Sequence, residues 1–209
     1  VDVENSAWAG TGATLDDSNG GSDDEDGVNS PALAPLYSTS GGSSYTVAVT
    51  CIGNSPIAGW IDFDRNGIFD ADERSGTVSC SGGTASLVWT VNNDIAAGQT
   101  YLRIRTAANA AEIASATGIA GTGEAEDHAL TITPPARLTI RKVSVGGVDS
   151  FGFTGTNGVV AQTLTTTTAG IPVAGAPQVL TATGTATSVM ENTSPVTYRV
   201  SDIACTGLG

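Results

Sequence analysis

Short runs that alternate apolar and polar residues recur along this chain, and they limit what it can become. Ser44-Tyr45-Thr46-Val47-Ala48-Val49-Thr50-Cys51 has period two, as does Ala85-Ser86-Leu87-Val88-Trp89-Thr90-Val91. Thr100-Tyr101-Leu102-Arg103-Ile104-Arg105-Thr106 sets Leu102 and Ile104 on one face and the two arginines on the other. Such runs fit half-buried strands, and the Thr, Val and Gly content supports the same reading. An all-β chain is expected. Ile57–Ile61 and Ala129–Thr133 complete a first set of strands, and Pro134-Pro135 ends it. Residues 107–118 lack periodicity and read as a loop with at most one short turn.

After the prolines the acidic residues thin out and Thr, Gly and Ala dominate. Strands are expected at Leu138–Val143, Ser150–Thr154, Gln162–Thr166, Gln178–Ala182, Ser188–Asn192 and Val196–Val200. The expected architecture is therefore two tandem β-sandwich domains, residues 1–134 and 135–209. The 209 residues are enough for both to bury a core. No apolar run is long enough to span a membrane as a helix. Val1 is consistent with a leader removed upstream.

One stretch departs from the strand pattern. From Asp62, side-chain oxygens fall at positions 1, 3, 5 and 9 (Asp62, Asp64, Asn66, Asp70). Gly67 stands at the turn position, Ile68 offers a backbone carbonyl at 7, and Glu73 closes the loop at 12. A hard cation that takes six to eight oxygens needs this spacing, so calcium is the expected ion. Strand-like sequence precedes the loop and no amphipathic helix follows, so this is not a helix–loop–helix sensor. Mg²⁺ suits the loop less well, because it keeps its waters. Extracellular loops of this kind bind with dissociation constants of about 10⁻⁴–10⁻³ M.

The formal charge of −13 is clustered in this loop, in Asp23–Asp26 and in Glu124–Asp127. Like charges packed into one domain repel unless cations neutralise them. A second cation held by Asp24, Asp26, Glu124, Glu126 and Asp127 is one expectation; pairing of the acids with Arg103 and Arg105 is the other. The same charge argues against nucleic acid as a partner.

Cys51 and Cys80 would close a loop of about 30 residues, a plausible disulfide in an oxidising compartment. Cys205 is left over, which suggests a chain that continues past Gly209. His128, the single histidine, has no Cys or His at metal spacing and reads as an exposed or hydrogen-bonded strand residue. No nucleophile elbow or metalloprotease motif is present, and an enzyme is not expected.

Four motifs carry a resemblance: Asp23-Asp24-Glu25-Asp26-Gly27-Val28, Trp60–Gly67, Leu102-Arg103-Ile104-Arg105, and Gly123-Glu124-Ala125-Glu126-Asp127-His128. In this order over about residues 20–133 they resemble the GEVED domain of bacterial secreted and cell-surface proteins. Ala125 and His128 stand where Val and Tyr are usual. The resemblance implies a non-enzymatic β-sandwich with acidic cation-binding loops. Residues 136–209 resemble the prealbumin-like (CnaB or SpaA-like) domains of pilins and adhesins, through Leu138–Lys142, Phe151-Gly152-Phe153, the Thr-rich strand to Gly170, and Ser188–Pro195 leading to Tyr198. In such domains a first-strand lysine can form an isopeptide bond, assisted by a buried acid. Lys142 and Glu191 match those two places; an ordinary ion pair between them is the other reading. The family's closing strand is not evident after Cys205.

Together these readings imply a calcium-stabilised structural segment of an extracellular adhesin, surface protein or fibre. Its partners would be further copies of the chain, other surface proteins, or a glycan. Strand donation by residues 1–8 to an open edge of the second domain is one route to a filament. A calcium-dependent carbohydrate-binding module is the alternative. It would need an aromatic platform, for which Trp8 is the best placed, since Trp60 and Trp89 lie on core patterns.

Overall fold

The computed structural model describes residues 7–9, 27–28, 33–192 and 198–207. The chain divides into two compact units, Val1–Pro134 and Pro135–Gly209. Its regular structure is nearly all strand; the described residues include two short 3-10 turns, at Ala71–Glu73 and Ala110–Ile113.

The first unit holds β1 (Ala7–Ala9), β2 (Leu36–Tyr37), β3 (Ser44–Thr50), β4 (Pro56–Ile61), β5 (Val78–Ser79), β6 (Thr84–Thr90), β7 (Gly98–Ala107), β8 (Gly118–Ala120) and β9 (Gly123–Thr133). Five of them form one sheet in the order β2-β9-β7-β4-β5, and β3 pairs with β6 in a second. Alternation decides which side chains meet between the sheets. β3 exposes Ser44, Thr46, Ala48 and Thr50 while burying Tyr45, Val47 and Val49; β6 exposes Thr84, Ser86, Val88 and Thr90 and buries Ala85, Leu87 and Trp89. These pack on Ile57, Ile61, Leu102, Ile104, Leu130 and Ile132 of the larger sheet in one core. Trp89 fits because Gly59 opposes it: a Cβ at Gly59 would come within 2.7 Å of the indole. The Cys51–Cys80 disulfide, Cα atoms 5.9 Å apart, ties the end of β3 to the residue after β5 and so joins the two sheets.

The outer face of the larger sheet is covered too. Ala58 and Trp60 of β4 pack with Ala107, Ile113, Ala116, Ala120 and the half-buried Phe69. The residues 107–118 read as a loop with one short turn form this lid, with the turn at Ala110–Ile113. β1 pairs with β8 of its own unit, so Ala7 and Trp8 are already engaged there; residues 1–6, which complete the stretch expected to be donated, lie outside the described residues.

The second unit holds β10 (Arg137–Leu138), β11 (Arg141–Lys142), β12 (Ser150–Gly155), β13 (Gln162–Thr165), β14 (Val173–Ala174), β15 (Gln178–Val179) and β16 (Val189–Asn192). β12 lies between β13 and β16; β10 pairs with β15 and β11 with β14. The core is Ile140, Phe151, Phe153, Val159 and Leu164. The continuous strand expected over Leu138–Val143 is split. Ile140 is buried and its carbonyl accepts the Gly175 N–H at 2.9 Å, so the segments on either side take different partners. Only Gln178 and Val179 of the expected 178–182 strand join a ladder, and residues 198–200 are irregular; Val196 and Thr197 lie outside the described residues.

Candidate metal centre

β4 runs directly into the acidic loop, and the loop is bent by two residues in left-handed conformation, Arg65 at φ 62° and Gly67 at φ 84°. A side chain is strained in that region, which is why a glycine serves at the sharp turn. Arg65 folds away from the loop's acids and ties it to the neighbouring chain, its Nη1 donating to the Ala97 carbonyl at 2.7 Å and its Nε to that of Gln99 at 2.8 Å. Ala96 N–H donates to the Phe63 carbonyl at 2.8 Å, and the Thr100 hydroxyl donates to the Asp62 carbonyl. Phe63 itself is anchored in the core. The base of the loop is thus fixed by β7 and the turn before it.

Within that frame Asp62, Asp64 and Glu73 each aim a carboxylate oxygen so that the three lie within 4.8 Å of one another. Asp62 and Glu73 are buried, at 3% and 1% exposure. Glu73 accepts the Phe63 N–H at 2.5 Å and the Asp70 N–H at 2.9 Å; Asp62 accepts the N–H groups of Asn66 and Gly67, both at 3.1 Å. Among the described residues no Lys, Arg or His forms an ion pair with any of the three. Burial pushes the Glu73 carboxyl up to about 7, reinforced by the nearby Asp62 charge and opposed by those backbone bonds. Burial also raises Asp62.

The remaining positions of the spacing pattern are placed differently. The Asn66 amide bridges outward, its Nδ2 donating to Asp64 Oδ2 at 3.1 Å and Asp70 Oδ2 at 2.9 Å, while its Oδ1 accepts the Ile68 N–H at 2.7 Å. Asp70 therefore sits beside the three-carboxylate group, not in it. Ile68 is exposed. An oxygen-only donor set on a bent loop is the chemistry calcium selects, and it would draw on Asp62, Asp64 and Glu73 first.

Glu124, Glu126 and Asp127 require a correction. They are not on a loop: the whole motif lies in β9, paired along its length with β7. Strand alternation then turns Asp127 away from Glu124 and Glu126, so one ion cannot take all three. On the outer face Asp127 is bound by Arg103, Nε to Oδ1 at 2.7 Å and Nη2 to Oδ2 at 2.6 Å. On the inner face Glu126 accepts the Gly27 N–H at 3.1 Å and lies 2.9 Å from His128 Nε2; Glu124 is buried on the same side. His128 is a buried, hydrogen-bonded strand residue. Asp24 and Asp26 lie outside the described residues.

Sequence reasoning missed the work of the arginines. Arg103 and Arg105 are fully buried on the outer face. Arg103 Nη1 donates to the Ala116 carbonyl at 3.1 Å; Arg105 donates to the carbonyls of Ser115, Thr117 and Gly118 at 2.7, 3.0 and 2.7 Å. Arg74, over the Trp60 ring at 5.2 Å, donates to the Ile113 carbonyl at 3.0 Å. Three guanidiniums thereby hold the lid on the sheet. The signal was an apparently solvent-facing pair of arginines on a strand beside an Ala-rich segment with no periodicity of its own.

In the second unit Lys142 Nζ donates to both Glu191 oxygens, at 2.9 and 2.8 Å, and lies 4.2 Å from the Phe151 ring centre. The described residues place no Asn or Asp on Lys142. Cys205 is free and exposed.

No curated protein and no solved structure matches the chain. Two family models do: residues 56–131 match the GEVED domain and residues 138–209 a prealbumin-like fold domain. The matched GEVED stretch runs from β4 through the acidic loop to β9, and so contains both the three carboxylates and the arginine clamp. The chain therefore carries a GEVED domain followed by a prealbumin-like, SpaA-type domain.

Proposed function

We propose that this chain is a calcium-stabilised structural segment of a bacterial extracellular adhesin, surface protein or fibre, with no catalytic activity of its own. The observation that carries the reading is the group formed by Asp62, Asp64 and Glu73: three carboxylates, two of them buried, with no Lys, Arg or His paired to them among the described residues. Buried like charges are stable only if a proton or a metal neutralises them. Oxygen donors on a bent loop favour calcium, which reaches the concentrations a weak site needs outside the cell.

The prealbumin-like domain supports a surface structural role, and both families are typical of secreted and cell-surface bacterial proteins. No helix among the described residues is long and apolar enough to cross a membrane. In such a setting the ion would fix the loop between β4 and the 3-10 turn Ala71–Glu73, making the module rigid. Partners would be further copies of the chain or other surface proteins. For the carbohydrate-binding alternative, Trp60 and Trp89 are buried and offer no stacking surface, which leaves Trp8 as its platform.

Calorimetric titration with calcium tests the reading. One ion per chain, and loss of its heat in Glu73→Gln, is the expected result. A wild-type protein that takes up no calcium and melts at the same temperature with the ion or a chelator would overturn it.

A further inference from the structure

The chain has three Asn-Gly steps, Asn19–Gly20, Asn66–Gly67 and Asn157–Gly158, of which the first lies outside the described residues. At such a step the following backbone nitrogen can attack the asparagine side chain, because glycine has no Cβ to shield it. The two described steps are held in different ways. Asn157 is clamped to a separate segment: Nδ2 donates to the Ala182 carbonyl and the Thr187 hydroxyl, both at 2.9 Å, and Oδ1 accepts the Ala182 N–H at 2.8 Å and the Thr181 hydroxyl at 3.0 Å. None of these partners is a carboxylate.

Asn66 is exposed, and a Cβ built on Gly67 would meet nothing within 4 Å. Its Oδ1 accepts the Ile68 N–H at 2.7 Å, which polarises the side-chain carbonyl. The Gly67 N–H points at Asp62 Oδ2 from 3.1 Å, and Nδ2, the group that would leave, lies against Asp64 and Asp70. A nucleophile with an adjacent base, a carbonyl with an aimed donor and a leaving amide beside acids share one short turn.

We propose that Asn66 is a self-catalysed deamidation site that a cation in the loop holds in check. Gly67 N attacks Asn66 Cγ, giving up its proton to the carboxylate that already accepts it. That proton is passed on to Nδ2, the Cγ–Nδ2 bond breaks, ammonia leaves, and a five-membered succinimide remains. Water then opens the ring at Cγ to give aspartate, or at the Asn66 backbone carbonyl to give isoaspartate. The net change is water in and ammonia out. The modification stands on the geometry of the turn; its restraint by a cation rests on the calcium reading above. An ion that draws Asp62 to itself takes away the base that faces the Gly67 N–H. Aspartate at this position adds a ligand charge, whereas isoaspartate inserts a methylene into the main chain and ends the ligand spacing. A module starved of calcium would thus be marked irreversibly.

The full chain is incubated at neutral pH with calcium or with a chelator, and its peptides are mapped by mass spectrometry. In chelator the Asn66 peptide should gain about 1 Da, as a mixture of aspartate and isoaspartate. It should do so about tenfold faster than the Asn157 peptide, and calcium should slow it by a similar factor. Equal rates at Asn66 and Asn157 in chelator overturn the site. Equal Asn66 rates with and without calcium, in a protein that calorimetry shows to bind it, overturn the restraint. A protein that binds no calcium fails the functional reading and the restraint together, and the Asn66–Asn157 comparison then decides the modification by itself.

Discussion

Two acidic groups of the first unit look alike along the chain and are opposites in space. Asp127 is half-buried, and Arg103, its cross-strand neighbour on β7, meets both of its oxygens. Asp62, Asp64 and Glu73 gather within 4.8 Å of one another, yet Arg65 of the same loop turns its guanidinium to the Ala97 and Gln99 carbonyls instead. One group is complete without anything added. The other has no such ion pair among the described residues. The difference is one of element: a strand fixes a partner across the ladder, while a bent loop can wrap its own oxygens around a point.

Breaking the completed group should do most damage. Arg103→Ala removes both guanidinium contacts to Asp127 and releases the Ala116 carbonyl, so a loss of about 3–5 kcal/mol is expected. Urea unfolding measures it, and the loss should be the same with calcium or chelator. Glu73→Gln should behave the other way round. At about 10 mM calcium and a dissociation constant of about 10⁻⁴–10⁻³ M, the wild type should gain about 1.5–3 kcal/mol over its calcium-free form. The variant should gain nothing, and in chelator at pH 8 it should be at least as stable as the wild type. A variant that loses stability equally in both solutions would erase the contrast between the two groups.

The contrast also explains how far the sequence could be read. Period-two runs placed most strands of the first unit, because there alternation and burial coincide, as in β3 and β6. The fixed offsets from Asp62 to Glu73 pointed to Asp62, Asp64 and Glu73 meeting, because a turn carries its acids in sequence. For the Glu124–Asp127 run two readings stood open, and pairing with Arg103 is the one Asp127 follows; which of these acids share a face emerges only from the pairing with β7. The lid over Trp60 was illegible for a related reason: its backbone carbonyls are satisfied by arginines from β7 and from Arg74, and no local periodicity reports that. In the second unit Ile140 interrupts its strand by packing inward, which an alternating pattern cannot reveal.

A pH series separates the two groups more finely. Glu73 titrates near 7 in the folded chain against 4.5 for the free side chain. A carboxyl raised on folding favours the folded state at low pH, and that advantage is lost as pH rises from about 4.5 through 7. Calcium takes the ionised form, so below pH 7 it must displace a proton, and its apparent affinity should fall by up to about tenfold per unit. The melting difference between calcium and chelator should therefore widen from pH 5 to pH 8. In Glu73→Gln it should be flat, which thermal melts at each pH would check.

The smallest effect is expected at Lys142–Glu191. This pair resembles the Arg103–Asp127 pair in having two short N–H···O contacts, but its side chains are 15% and 23% exposed where those of Arg103 and Asp127 are 0% and 5%. Solvent screening leaves such a pair worth about 1 kcal/mol or less, with the contact to Phe151 adding a similar increment. Lys142→Met keeps the aliphatic contact with the ring, so unfolding should shift by only about 1 kcal/mol. Intact mass decides what kind of link is being removed. An ion pair leaves the chain at its full sequence mass, and that is the outcome the bidentate geometry favours. A mass short by one ammonia or one water, restored in Lys142→Met, would instead mean that the lysine is acylated. The second unit would then be held by a covalent bond where the first is held by charge.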